Sequence, residues 1–155
     1  MEIRLFSPAD AAQTADVIAK TLRVCNSRDY PPEMIEENIR THSVPDLIRL
    51  SQEGHFYVVC DGDRIVGCGG IAGYWGSLTE SILLTIFVLP EYQGKGIGRQ
   101  IIETLEQDEY FLRADRVEIP ASILACPFYQ KMGYTYKNGV TSPDEEGCVR
   151  MEKRR

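Results

Sequence analysis

Three alternating glycines, Gly94, Gly96 and Gly98, separate an apolar run ending in Ile86-Phe87-Val88 from a segment carrying Ile101, Ile102 and Leu105 at helical spacing. No other stretch of the 155 residues constrains the fold as tightly. Pro90 cannot donate to a sheet ladder, so the strand ends there and the chain enters a helix through the glycine-rich turn. The first turn of a helix leaves backbone N–H groups unpaired, and its dipole puts positive charge at that end. Glycines let a ligand approach the main chain closely, so such a junction suits a phosphate group. Lys95 and Arg99 add charge nearby. A tight strand-to-helix turn with no ligand is the other reading of the same residues.

Two common phosphate-binding patterns fail on the residues. A P-loop places Ser or Thr after its Lys to hold magnesium, but Gly96 follows Lys95. A dinucleotide fingerprint needs G-x-G-x-x-G, whereas these glycines simply alternate.

The rest of the chain supplies the setting. Residues 2 to 6 read as a strand, Ser7-Pro8-Ala9-Asp10 as a helix start, and Ala11 to Val24 as the first helix. Pro31-Pro32 opens a second helix with Met34, Ile35 and Ile39 on one face, and a further short helix is expected around Pro45 to Ser51. His55 to Cys60 and Arg64 to Trp75 form a hairpin about Asp61-Gly62-Asp63, followed by a strand from Thr79 to Val88. Val117 to Ile119 is a short strand, and Pro127 sits early in a helix that Gly133 ends. Tyr134 to Lys137 and Cys148 to Lys153 close the chain as strands around the acidic Asp144-Glu145-Glu146 loop. The order β-α-α-β-β-β-α-β-α-β-β, without repeats or linkers, predicts one α/β domain over residues 1–155.

Composition narrows the function classes. With 43% hydrophobic and 26% charged residues, the chain has the balance of a globular protein. A net charge of −6 repels nucleic acid, so none is expected as a partner. Five widely spaced cysteines without a C-x-x-C pair indicate free thiols, neither a disulfide framework nor a zinc site. His42 and His55 are too isolated for a metal centre or a Ser-His-Asp triad. The N-terminal run is charged and strand-like, and no apolar stretch reaches membrane-spanning length; a cytoplasmic location with no membrane partner is the expectation.

The segment around the glycines resembles the Q/R-x-x-G-x-G/A motif of the GCN5-related N-acetyltransferases, matched by Gln93, Gly96 and Gly98. A second family signature, N-x-x-A-x-x-F-Y-x-x-x-G-F/Y, is similar to residues 122–134, with Ala125, Phe128, Tyr129, Gly133 and Tyr134 in place and Ser122 replacing its Asn. The resemblance implies a mixed, mostly antiparallel central sheet with helices on both faces, its strands splayed at an acetyl-CoA site. Acetyl-CoA would be the acyl donor, no metal would be needed, and a small-molecule or peptide amine would be the acceptor. The pyrophosphate would lie on the amides of Gly94, Lys95, Gly96, Ile97, Gly98 and Arg99. Pantetheine would pair with the backbone around Ile86, Phe87 and Val88, and Ser122 would keep one hydrogen bond to the cofactor.

By the same resemblance, Tyr129 stands where many family members place the acid that protonates the departing thiolate; its plain alternative is a core aromatic beside Phe128. The family has no single general base. Glu80 and Glu118 are the candidates here, with the alternatives of an exposed strand-start carboxylate for Glu80 and a salt bridge for Glu118. A bulge in the strand ending at Val88 would alter which side Glu80 faces. Arg23 to Tyr30, Tyr74, Trp75 and the acidic loop would border the acceptor pocket. A coenzyme A sensor without turnover and a homodimer built on strand edges stand as the other function classes.

Overall fold

A computed structural model describes residues 1–155. One seven-stranded sheet runs through it, built from β1 (Glu2–Leu5), β2 (Gly54–Asp61), β3 (Arg64–Gly73), β4 (Glu80–Val88), β5 (Arg116–Ala121), β6 (Thr135–Tyr136) and β7 (Val149–Arg154). The spatial order is β1-β2-β3-β4-β5-β7-β6. Every neighbouring pair is antiparallel except β4 with β5. The helices are α1 (Ala11–Cys25), α2 (Pro32–Arg40), α3 (Val44–Glu53), α4 (Ile97–Leu105), α5 (Glu109–Leu112) and α6 (Cys126–Lys131).

Helices cover both faces, and β3 shows why. Alternate residues of a strand face opposite sides. A Cβ built on Gly69 would stand 2.5 Å from Ile101 Cγ2, so α4 packs directly on the bare β3 backbone on that face. A Cβ on the next residue, Gly70, would instead meet Leu50 of α3 on the other face. Ile97, Ile101, Ile102 and Leu105 of α4 are all buried. At about 1.5–3 kcal/mol for each fully buried aliphatic side chain, this face anchors the N-terminus of α4 against the sheet.

Most expected elements are present, with three differences. The strand read as Arg64 to Trp75 stops at Gly73, and Tyr74–Gly76 form a single helical turn in which Trp75 takes φ +50°. The four-residue α5 was not expected; Asp108 caps it by accepting the Tyr110 amide at 2.9 Å. The penultimate strand shrinks to Thr135–Tyr136 and sits at the sheet edge, because β7 inserts between it and β5.

The parallel β4–β5 pairing positions the site. It covers only Glu80 to Ile82 against Arg116 to Glu118, after which the two strands part. Beyond the split, β4 carries a bulge: Thr85 and Ile86 lie opposite the single β3 residue Gly69, and Thr85 adopts φ +57°. The extra residue bends the strand and re-aims the backbone. Cys68 Sγ, fully buried, donates to the Thr85 carbonyl at 3.3 Å and holds the bulge from behind.

Candidate active site

The diverging strands open a cavity of about 820 Å³. Its floor is β4 from Ile82 to Val88, one end is the Gln93–Arg99 turn, and β5, α6 and the loop before β7 close the other side. Ile86, Phe87, Val88, Gln93, Gly94, Gly96, Ile97, Gly98, Arg99, Ser122 and Tyr129 all border this single space, although they come from separate stretches of chain.

The turn itself has the geometry that suits an anion. None of the six backbone N–H groups from Gly94 to Arg99 donates to another backbone carbonyl; the first to do so is Gln100, to Gly96 at 3.1 Å. Gly94 and Gly96 take φ +77° and +83°, a left-handed region that side chains rarely adopt, and a Cβ at either position would meet no atom within 4 Å. Open space, free amides and the positive end of α4 therefore coincide. The Lys95 side chain lies outside the cavity, with its ammonium 5.3 Å from the Tyr92 ring centroid.

Gln93 acts differently from its neighbours. Its Nε2 donates to the Val88 carbonyl at 2.9 Å and contacts Cys25 Sγ at 3.3 Å. The side chain thus ties the turn to the end of β4 and to α1, and the Val88 carbonyl is already engaged.

Tyr129 is 5% exposed, and its ring packs against Phe128 and Tyr134. Its hydroxyl has no hydrogen-bond partner in the protein, yet it is not sealed off, since no buried side-chain polar atom lacks a partner. Burial raises its pKa above that of an ordinary phenol, so the group stays protonated. Ser122, which precedes the turn into α6, also borders the cavity.

The two carboxylates expected as bases have other partners. Glu80 and Glu118 are both absent from the cavity wall. Glu80 lies before the strand split, where its Oε2 meets Arg116 Nε at 3.1 Å, and this hydrogen bond lowers its pKa. Glu118 is 1% exposed and accepts from Arg116 Nη1 at 2.8 Å, Lys137 Nζ at 2.8 Å and Arg150 Nη1 at 3.3 Å. Burial pushes its pKa up, but the hydrogen bonds from Lys137 and Arg116 outweigh it and leave it lowered. A carboxylate so stabilised as an anion is a poor proton acceptor, which favours the salt-bridge reading.

Tyr74 and Trp75 are likewise placed elsewhere. The Tyr74 ring lies 4.9 Å from the Arg116 guanidinium, and Trp75 is 91% exposed. The cavity is bordered on that side by Cys25, Asn26 and Tyr30 and by Met34, Asn38 and His42, of which the sequence reading placed only Cys25, Asn26 and Tyr30 at an acceptor pocket. Of the acidic loop, Glu146 reaches the cavity, while Asp144 is held by Arg150 Nε at 3.0 Å.

Among the side chains there is no group of three or more His, Cys, Asp or Glu arranged to hold a metal ion. No helix is long and apolar enough to cross a membrane.

The sequence profile of the acetyltransferase (GNAT) domain matches residues 52–136, which include the splitting strands and the free-amide turn. The chain belongs to the GNAT family. No curated protein matches its sequence. Among solved structures it is similar to the PaiA N-acetyltransferase of Thermoplasma acidophilum in complex with coenzyme A, with TM-score 0.84, 21% identity, and 99% of this chain and 98% of that one covered. It is also similar to a GCN5-related N-acetyltransferase from Rhodopseudomonas palustris, with TM-score 0.81, 23% identity and coverage of 99% and 95%. An aminoglycoside 6'-N-acetyltransferase complexed with coenzyme A aligns with TM-score 0.69, 21% identity and coverage of 99% and 97%.

Proposed function

We propose that this protein is an acetyl-CoA-dependent N-acetyltransferase that moves the acetyl group directly to an amine. The free-amide turn from Gly94 to Arg99, opening into the same cavity as Tyr129, carries the reading. The fit is chemical as well as spatial. A pyrophosphate needs several convergent donors and close backbone approach, which the amides and the two left-handed glycines offer. Pantetheine needs an unpaired strand edge, which β4 offers once β5 has left it. Two of the similar structures contain coenzyme A.

In this reading the acetyl carbonyl lies along β4 near the bulge, where a backbone amide stabilises the oxyanion that forms on attack. The Tyr129 hydroxyl, whose pKa burial raises, donates a hydrogen bond that stabilises the thiolate as it leaves. The amine enters from the side bordered by Tyr30, Met34 and Asn38. All five cysteines are unpaired, which supports a reducing, cytoplasmic setting.

The test couples two measurements. Calorimetry should show coenzyme A and acetyl-CoA binding, and free thiol should appear when acetyl-CoA is mixed with a panel of polyamines, amino acids, peptides and aminoglycosides. Binding without thiol release across the panel would favour a coenzyme A sensor; no binding would remove the reading.

A further inference from the structure

We propose that His42 is the general base of this site, taking the proton from the attacking amine on its Nε2; the assignment rests on the acetyltransferase reading above. His42 lies in the short link between α2 and α3, partly buried, and borders the cavity. Its ring meets the Phe87 ring edge-on, with centroids 5.6 Å apart and planes at 85°. Phe87 directly follows the bulge residues Thr85 and Ile86, in the part of β4 that β5 has left. The imidazole therefore stands beside the stretch of strand assigned to the reacting carbonyl.

The hydrogen bonding selects the tautomer. Nδ1 lies 2.7 Å from the Asn38 carbonyl oxygen, which can only accept, so Nδ1 carries the hydrogen. Thr41 Oγ1 is a more distant neighbour of the same nitrogen, at 3.4 Å. In the neutral ring Nε2 then holds the lone pair, and it has no partner within the protein. A backbone carbonyl that orients one ring nitrogen and leaves the other free is the arrangement a base requires. With Glu80 and Glu118 engaged elsewhere, the only carboxylate on the cavity wall is Glu146, which is exposed.

The charged surroundings of the ring come from two sides. A shallow depression shared with α3 holds Asp46, Arg49 and Glu53, of which Asp46 and Arg49 pair with each other. The main cavity contributes Arg99, Glu146 and Arg150, together with the phenols of Tyr30, Tyr92 and Tyr129 and the thiols of Cys25 and Cys148.

The step balances. The neutral amine nitrogen attacks the thioester carbon and a C–N bond forms, after which its surplus proton passes to Nε2. Collapse of the tetrahedral carbon breaks the C–S bond, and sulfur leaves with the electron pair as a thiolate stabilised by a hydrogen bond from the Tyr129 hydroxyl. The imidazolium gives its proton to solvent and the thiolate takes one from it, leaving amide and free thiol as products.

The experiment compares wild type with His42→Asn, whose amide nitrogen can replace Nδ1 on the Asn38 carbonyl but supplies no base, and with His42→Ala. With an amine that the wild type acetylates, kcat should fall about 10²- to 10⁴-fold in His42→Asn while coenzyme A affinity stays within about twofold. The acid limb of the kcat/KM profile should disappear from its wild-type position, activity should recover as rising pH deprotonates the amine, and added imidazole should restore part of the His42→Ala rate. In the wild-type protein, ¹⁵N NMR should show Nδ1 protonated and Nε2 bare, a readout that needs neither turnover nor a variant. An unchanged rate, a profile parallel to wild type at reduced height, or the Nε2–H tautomer would overturn the assignment. Wild type that binds acetyl-CoA but acetylates nothing would instead remove the acetyltransferase reading, and His42's role with it.

Discussion

The Tyr30 hydroxyl donates to the Gly147 carbonyl at 2.6 Å and accepts from the Ile123 amide at 3.0 Å. One phenol thus joins three distant pieces of chain at the acceptor end: the link after α1, the loop before β7 and the turn into α6. Tyr30→Phe keeps the ring and removes both bonds, at a cost of about 1–3 kcal/mol. A fall in Tm of about 3–8 °C is expected, and the acceptor KM should rise more than the Kd for coenzyme A. Thermal melts and steady-state kinetics test both parts.

Gly96 separates cofactor binding from folding. Since a Cβ there meets nothing within 4 Å, Gly96→Glu is strained only by its φ of +83°, at a cost of about 1–2 kcal/mol. The protein should remain folded by circular dichroism, yet coenzyme A affinity should drop more than about 100-fold, because the new carboxylate faces the pyrophosphate. Unchanged affinity by calorimetry would relocate the phosphate site.

Tyr129→Phe should lower turnover by roughly ten- to a thousandfold with little change in coenzyme A affinity. Burial holds the phenol above its ordinary pKa of about 10, so its acid form persists through the whole working range. The wild-type profile should accordingly show no loss of activity from Tyr129 ionisation below about pH 10. The variant should run below it at every pH.

Glu118 supplies a prediction about stability. Its pKa is lower in the folded state than the unfolded value of about 4.3, so its contribution is present above that value and is lost as pH falls through the folded pKa. Glu118→Gln leaves Arg116, Lys137 and Arg150 without their shared anion, though Arg116 keeps Glu80 and Glu152 and Arg150 keeps Asp144, and should cost about 1–3 kcal/mol at pH 7. Denaturant unfolding at pH 7 and at about pH 3 should show the gap between the two proteins narrowing in acid.

Local chemistry wrote much of the fold into the sequence. Pro90 ending a strand, alternating glycines opening α4 and Gly133 closing α6 each act over a few residues, so they are legible without a partner in space. Two short motifs mark Gln93, Gly96, Gly98, Ser122 and Tyr129, and these residues do border one cavity with Ile86, Phe87 and Val88. A salt bridge was one of two readings of Glu118, but its partners, and the pairing of Glu80 with Arg116, were not readable in this way. Both are strand carboxylates of ordinary appearance, and only the pairing of β5 with β4 and β7 brings Arg116, Lys137 and Arg150 around them. His42 was equally silent: nothing in Thr41-His42-Ser43 signals catalysis, and its free Nε2 depends on where α2 ends and on a Phe87 ring contributed from 45 residues downstream. The sequence by itself determined the strand, the glycine turn and the helix that follows it, since backbone conformation follows from neighbouring residues. Only the tertiary structure decided which ionisable groups are spent in ion pairs and which face the cavity, since their charges and hydrogen bonds are settled by contacts between segments far apart in the chain.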